Sequence, residues 1–187
     1  MKNYIVIFII LLNSLAVCSQ SAYKKVYKYG EYNDNWAMVR TISGTYGFIN
    51  REGQVVVPAI YAKIYKFGDY GIDFVLVRTI SGTYGLINKE GKEVVPAIYA
   101  KIYKFGEYGI DFALVKTVSG MFGLINKEGK EVVPTIYAKI ENFDTVISGA
   151  AIVKSISGNY GAVNRDGKEI IPTTYKRDEV AQRLKTL

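Results

Sequence analysis

The 187 residues include 24 Lys and Arg against 17 Asp and Glu, a formal net charge of +7, and are 49% hydrophobic and 13% aromatic; such a chain is not disordered, because disorder goes with too few aromatics to bury an ordering core. Histidine is absent, which removes the commonest general base near neutral pH and the commonest metal ligand. The basic residues are scattered in runs of at most two, so the charge can favour acidic partners by long-range attraction but reads as a solvated surface, and no nucleic acid is expected as a partner.

The first predicted element is a targeting segment. Lys2 supplies a short positive region, residues 4–12 (YIVIFIILL) are an unbroken apolar run, and Asn13 and Ser14 open a small-polar stretch ending in Val17-Cys18-Ser19-Gln20. The run is too short to span a bilayer as a permanent helix, which needs about 20 residues. Residues 1–19 are therefore expected to be a signal peptide cleaved after Ser19, and the protein to be exported: periplasmic, surface-held or secreted. A second reading takes Leu15-Ala16-Val17-Cys18 as a lipobox with Cys18 lipidated. Val17 stands where a lipobox normally has a smaller residue, so soluble export is preferred; a membrane partner is expected only if Cys18 is lipidated.

From residue 23 the chain repeats itself. Gly47, Gly85, Gly123 and Gly161 are 38 apart, as are Pro58, Pro96, Pro134 and Pro172, and Asn50, Asn88, Asn126 and Asn164. Phased on Tyr23, the array spans 23–175 as four units, 23–60, 61–98, 99–136 and 137–174. Units 61–98 and 99–136 differ at seven positions, of which only Thr83/Met121 and Ala97/Thr135 are not close chemical substitutions. A fixed period of this length is the signature of a repeat architecture in which each unit buries its apolar face against its neighbours.

Within a unit the pattern is β. Residues 113–118 and 122–126 read as strands around a Ser119-Gly120 turn, Asn126 to Gly129 as a second turn, and Glu131-Val132-Val133 as a third strand that Pro134 stops. Residues 99–105 alternate weakly and read as a fourth strand or a bent connector. After Tyr175, Val180, Leu184 and Leu187 fall at helical spacing, so residues 176–187 are expected to form a short helical cap over the last unit.

The order aromatic-Gly-aliphatic-Ile-Asn, Lys-Glu-Gly-Lys-Glu-Val-Val-Pro, Ile-Tyr, Phe and Ala-Leu-Val-Lys resembles the bacterial WG-repeat family over residues 23–175. One departure is that the Trp-Gly dipeptide stands here as Tyr46-Gly47, Tyr84-Gly85, Phe122-Gly123 and Tyr160-Gly161. The resemblance implies an all-β repeat concerned with interaction and not catalysis, and implies no particular ligand. An open stack of four β-meanders is the favoured arrangement, with a small β-propeller as the alternative.

Equivalent positions form columns. Arg40, Arg78, Lys116 and Lys154 make a basic column, either a stripe for an anionic polymer or, the preferred reading, the solvated face of an amphipathic strand. Tyr27, Tyr65 and Tyr103, beside Lys28, Lys66 and Lys104, make a second, and Tyr32, Tyr70 and Tyr108 a third; all end in the fourth unit, at Glu141, Asn142 and Val146. They read as a binding face, since tyrosine offers a large rigid surface at low entropic cost, or as core and edge filler. The pairs Glu31/Asp34, Asp69/Asp73 and Glu107/Asp111 lie in the connectors and read as turn caps; no metal, cofactor or catalytic residue is assigned. The function expected is non-catalytic binding or scaffolding at the cell envelope, with a protein or an envelope polymer as partner. A carbohydrate- or peptidoglycan-binding surface lipoprotein is the alternative.

Overall fold

The computed structural model describes residues 23–187; the leader, its cleavage position and Cys18 lie outside the described residues. The chain divides into two compact units, one ending at Ile64 and one beginning at Tyr65. The first contains β1 (Tyr23–Val26), β2 (Ala37–Thr41), β3 (Tyr46–Ile49) and β4 (Val55–Tyr61), an antiparallel sheet in the order β1-β2-β3-β4. The division falls inside β5 (Lys63–Gly68), which with β6 (Gly71–Arg78), β7 (Tyr84–Asn88) and β8 (Glu93–Tyr99) forms the second sheet. The third comprises β9 (Lys101–Ile102), β10 (Ala113–Lys116), β11 (Phe122–Ile125) and β12 (Glu131–Tyr137). The fourth comprises β13 (Lys139–Ile140), β14 (Ala150–Lys154), β15 (Tyr160–Asn164) and β16 (Glu169–Tyr175), and helix α1 (Arg177–Leu184) follows. The expected all-β tandem array with a short C-terminal helix is thus the observed fold.

Short-range chemistry draws each sheet. The Asn-x-x-Gly turns close because the asparagine side chain replaces a ladder bond: Asn88 Oδ1 accepts from the backbone N–H of Lys92 at 2.9 Å. Gly129 in the equivalent turn has φ +77, and a Cβ there would run into the Val94 carbonyl of the preceding sheet. Glycine is therefore required twice over, by backbone angle and by close approach.

One expectation is corrected. Pro134 does not end its strand: β12 runs from Glu131 to Tyr137 straight through it. The reason is position. β4, β8, β12 and β16 are terminal strands in their sheets, where a missing N–H interrupts no ladder. Between Leu124↔Val133 and Phe122↔Tyr137 the register shifts, so the strand bulges around the proline and arches over Gly123 of β11. A Cβ on Gly123 would lie 2.7 Å from the Val133 carbonyl oxygen, and one on Gly85 2.7 Å from that of Val95. The glycine of the aromatic-Gly dipeptide is there to let this bulge lie flat.

In the second unit both faces of a sheet are buried, because alternate strand residues point opposite ways. Phe74, Leu76 and Leu86 of the second sheet pack against Ala113, Val115 and Ile125 of the third. Phe112, Leu114 and Leu124 pack against Ala151, Val153 and Val163 of the fourth. The outer face of the fourth, with Ala150, Ile152, Ala162 and Ile171, is covered by Val180 and Leu184 of α1. The helix therefore takes the place of a further repeat. Leu187, expected to share that face, is 79% exposed, because α1 ends at Leu184. In the first unit Ala37, Val39 and Ile49 form a cluster with Tyr23, Tyr29 and Ala59, and the Phe48 ring lies 5.3 Å from Tyr32 and 5.4 Å from Trp36.

Candidate binding clefts

In the second unit the second and third sheets part at one corner. The gap is a cleft of about 180 Å³ lined by Tyr65, Tyr70 and Tyr84, with Leu76 and Ile102 as its apolar floor and Lys101 at its rim. Tyr65 comes from the first strand of the sheet, Tyr70 from the β5–β6 connector and Tyr84 from the start of β7, so three elements place three phenols in one site. Burial pushes the Tyr70 phenol above its ordinary value, partly opposed by the ammonium of Lys101, and the same two influences act on Tyr108. Lys101 Nζ also lies 4.0 Å from the Tyr103 ring centre, and Tyr103 meets Tyr108 edge-on at 5.9 Å. One amine thus serves two successive tyrosine pairs.

The first unit builds the same cleft independently. About 340 Å³ is enclosed by Tyr27, Met38, Tyr46, Lys63 and Ile64. These are the counterparts, one period earlier, of Tyr65, Leu76, Tyr84, Lys101 and Ile102. The fourth repeat departs. Glu141 replaces the first tyrosine and Arg177 the lysine, and the two form a bidentate pair at 2.9 and 2.8 Å. The hydrogen bond from Arg177 holds the Glu141 carboxyl below its ordinary value, and Lys139, 3.6 Å away, adds to the effect.

Members of the two tyrosine columns read from the sequence therefore meet: Tyr65 and Tyr70 in the second-unit cleft and Tyr103 with Tyr108 edge-on, whereas in the first unit Tyr27 lines the cleft and Tyr32 packs on Phe48. Lys28, Lys66 and Lys104 are exposed and point away from the clefts, as their one-residue offset on the strand dictates. Sequence reasoning missed Lys63 and Lys101 at the rim and Tyr46 and Tyr84 in the wall. The signal for both lysines was the two-residue spacing Lys101-x-Tyr103, which places lysine and tyrosine on one face of a strand. The basic column is engaged with the aromatic of the aromatic-Gly dipeptide: Arg40 lies 5.6 Å from the Tyr46 ring centre, Lys116 5.3 Å from Phe122 and Lys154 5.4 Å from Tyr160. Arg78, at the same register position opposite Tyr84, is exposed. Among the connector carboxylates, Asp73 pairs with Lys89 at 2.9 Å and Asp111 with Lys127 at 3.2 Å, both on the surface.

Four tandem copies of one four-stranded antiparallel sheet, carrying a recurring aromatic cleft, define an all-β repeat protein. The model of the WG containing repeat matches residues 46–78, 84–117, 122–155 and 160–177. The chain belongs to that family. No curated protein matches it. Among solved structures it is similar to BamB from Moraxella catarrhalis, at 18% identity and a TM-score of 0.32 over 79% of this chain and 51% of that one. It is also similar to the WD40 β-propeller domain of Doa1, at 11% identity and a TM-score of 0.29 over 74% of this chain and 51% of that one. The chain thus spans about half the length of each.

Proposed function

We propose that this is a non-catalytic binding module of the cell envelope whose tyrosine–lysine clefts hold segments of another macromolecule. The observation that carries the reading is recurrence: each compact unit, taken alone, builds the same cleft from the same columns. A site copied from repeat to repeat suits a partner that is itself extended. A catalytic site needs an asymmetric set of groups with different roles, whereas the polar groups here are repeated. Rigid tyrosine walls with a lysine rim supply contact area and orientation at small entropic cost. Export rests on the apolar leader at residues 4–12.

The test is retention of envelope components by the wild-type protein and by a variant altered in both clefts, Tyr27→Ser/Lys63→Ala together with Tyr65→Ser/Tyr70→Ser/Lys101→Ala. A partner held by the first and lost by the second, with unchanged thermal unfolding, is the expected result. Equal retention by both overturns the clefts as the site. Retention on purified cell-wall glycan alone selects the carbohydrate-binding alternative.

A further inference from the structure

The two ends of each sheet differ in chemistry. At one end lie the Asn-x-x-Gly turns and the connectors, with Asp73 paired to Lys89 and Asp111 to Lys127. At the other lie the β-hairpin tips and the last residues of the bulged strands. In the second unit this end comprises segments 78–84, 97–101, 116–122, 135–139, 154–160 and 173–177, and no aspartate or glutamate stands in any of them; the carboxylates that adjoin it are Glu141, paired with Lys139 and Arg177, and Asp178 and Glu179 in the first turn of α1.

The tips carry aliphatic residues where soluble proteins carry polar ones. Ile80, Val118 and Ile156 are 75%, 74% and 75% exposed, each at the same place in a Thr/Ser-x-Ser-Gly turn. Ile98 and Ile136, beside them on the bulged strands, are 59% and 56% exposed. Scattered single exposed aliphatics need no explanation, but a recurring row does. Arg78, Lys116 and Lys154 stand two residues before the three tips, and Lys101 and Lys139 open the strands alongside. The sheets are stacked in common orientation, since Lys101 of the third reaches the cleft of the second and Gly129 abuts Val94 at the opposite end. The tips therefore stand side by side.

We propose that this end of the second unit is a membrane-contacting surface, which inserts Ile80, Val118 and Ile156 into the headgroup–acyl boundary of an anionic bilayer while the neighbouring basic residues hold the headgroups. The occupant follows from shape and charge. A rigid protein partner needs a matching pocket for each projecting side chain, whereas a fluid interface accepts separate aliphatic tips wherever they stand. Lysines and arginines beside them gain from an anionic surface, and the hairpin tips themselves carry no carboxylate that such a surface repels, Glu141 at the α1 corner being neutralised by Arg177 and Lys139. The first unit shows the same pattern, with Ile42 78% and Ile60 59% exposed, flanked by Arg40 and Lys63.

The experiment is co-sedimentation with vesicles of phosphatidylcholine containing phosphatidylglycerol, and with phosphatidylcholine alone, the wild-type and variant proteins having identical N-termini. Binding to the anionic vesicles is expected, with at least tenfold weaker partitioning of Ile80→Ser/Val118→Ser/Ile156→Ser and no change for Lys89→Gln/Lys127→Gln at the other end. A Val118→Trp reporter should shift its emission to the blue and be quenched by bromolipid. Equal binding of the serine triple, equal loss in the Lys89/Lys127 variant, or a reporter that stays unquenched on bound protein each overturns the proposal. So does binding to a protein or glycan ligand through these tips with none to vesicles.

Discussion

The second and fourth repeats share one strand order and end in opposite states. Both place a residue at or just past the first strand, a connector residue and an aromatic from the aromatic-Gly dipeptide around one corner. In the second these are Tyr65, Tyr70 and Tyr84, and the corner is open. In the fourth they are Glu141, Val146 and Tyr160, and the Glu141–Arg177 pair bridges the corner while α1 covers the sheet. A repeat array must expose identical surfaces to bind repetitively, and must also stop. Here one repeat position decides between the two: tyrosine leaves the corner open, while glutamate recruits an arginine and ties down the cap.

The largest break in that comparison is removal of residues 176–187. Ile152, Ala162 and Ile171 would lose their cover, so size-exclusion chromatography should show association through the uncovered sheet. Leu184→Ala alone, at a side chain 1% exposed, should cost about 3 kcal/mol in denaturant unfolding. Next come Gly85→Ala and Gly161→Ala. An added Cβ meets the Val95 oxygen at 2.7 Å and the Ile171 oxygen at 2.5 Å, so each should cost roughly 2 kcal/mol. Similar losses would confirm that the bulge over the aromatic-Gly dipeptide is the same in both repeats; unequal losses would refute it.

Glu141→Gln is smaller, about 1 kcal/mol, because Arg177 is 43% exposed and water screens the pair. Its pH dependence has a definite sign. A carboxyl held below its ordinary value in the folded state stabilises above that ordinary value, and the contribution disappears as pH falls through the depressed one. The stability gap between wild type and Glu141→Gln should therefore be full at neutral pH and close in acid, read from thermal unfolding across that range. A gap that widens in acid would place the stabilisation elsewhere. The smallest effect is the transplant of the pair into the second repeat. Tyr65→Glu with Lys101→Arg should show a favourable coupling of about 0.5 kcal/mol in a double-mutant cycle, together with loss of whatever the cleft holds.

Much of this fold is legible in the sequence. The 38-residue period, the turns, the strand pattern and the Val180/Leu184 face of the cap follow from local chemistry that acts over a few residues. The two unlike substitutions between the middle repeats, Thr83/Met121 and Ala97/Thr135, looked unrelated in the chain. The fold shows them to be partners: the Thr83 hydroxyl donates to the Ala97 carbonyl at 2.6 Å, a bond Met121 cannot make, and both third-repeat changes fall at that one place.

The sequence by itself determined the repeat, its phase and the columns, because periodicity and turn chemistry are written in neighbouring residues. Only the tertiary structure decided which columns converge. Tyr65, Tyr84 and Lys101 share a cleft because a bulged strand carries the chain from one sheet to the next, and stacking then brings the lysine of the third sheet against the tyrosines of the second. It likewise decided that Pro134 lies inside a strand, since a missing N–H is harmless only where no neighbour waits to receive it. Contacts across sheets depend on how faces stack, and no local pattern of residues encodes that.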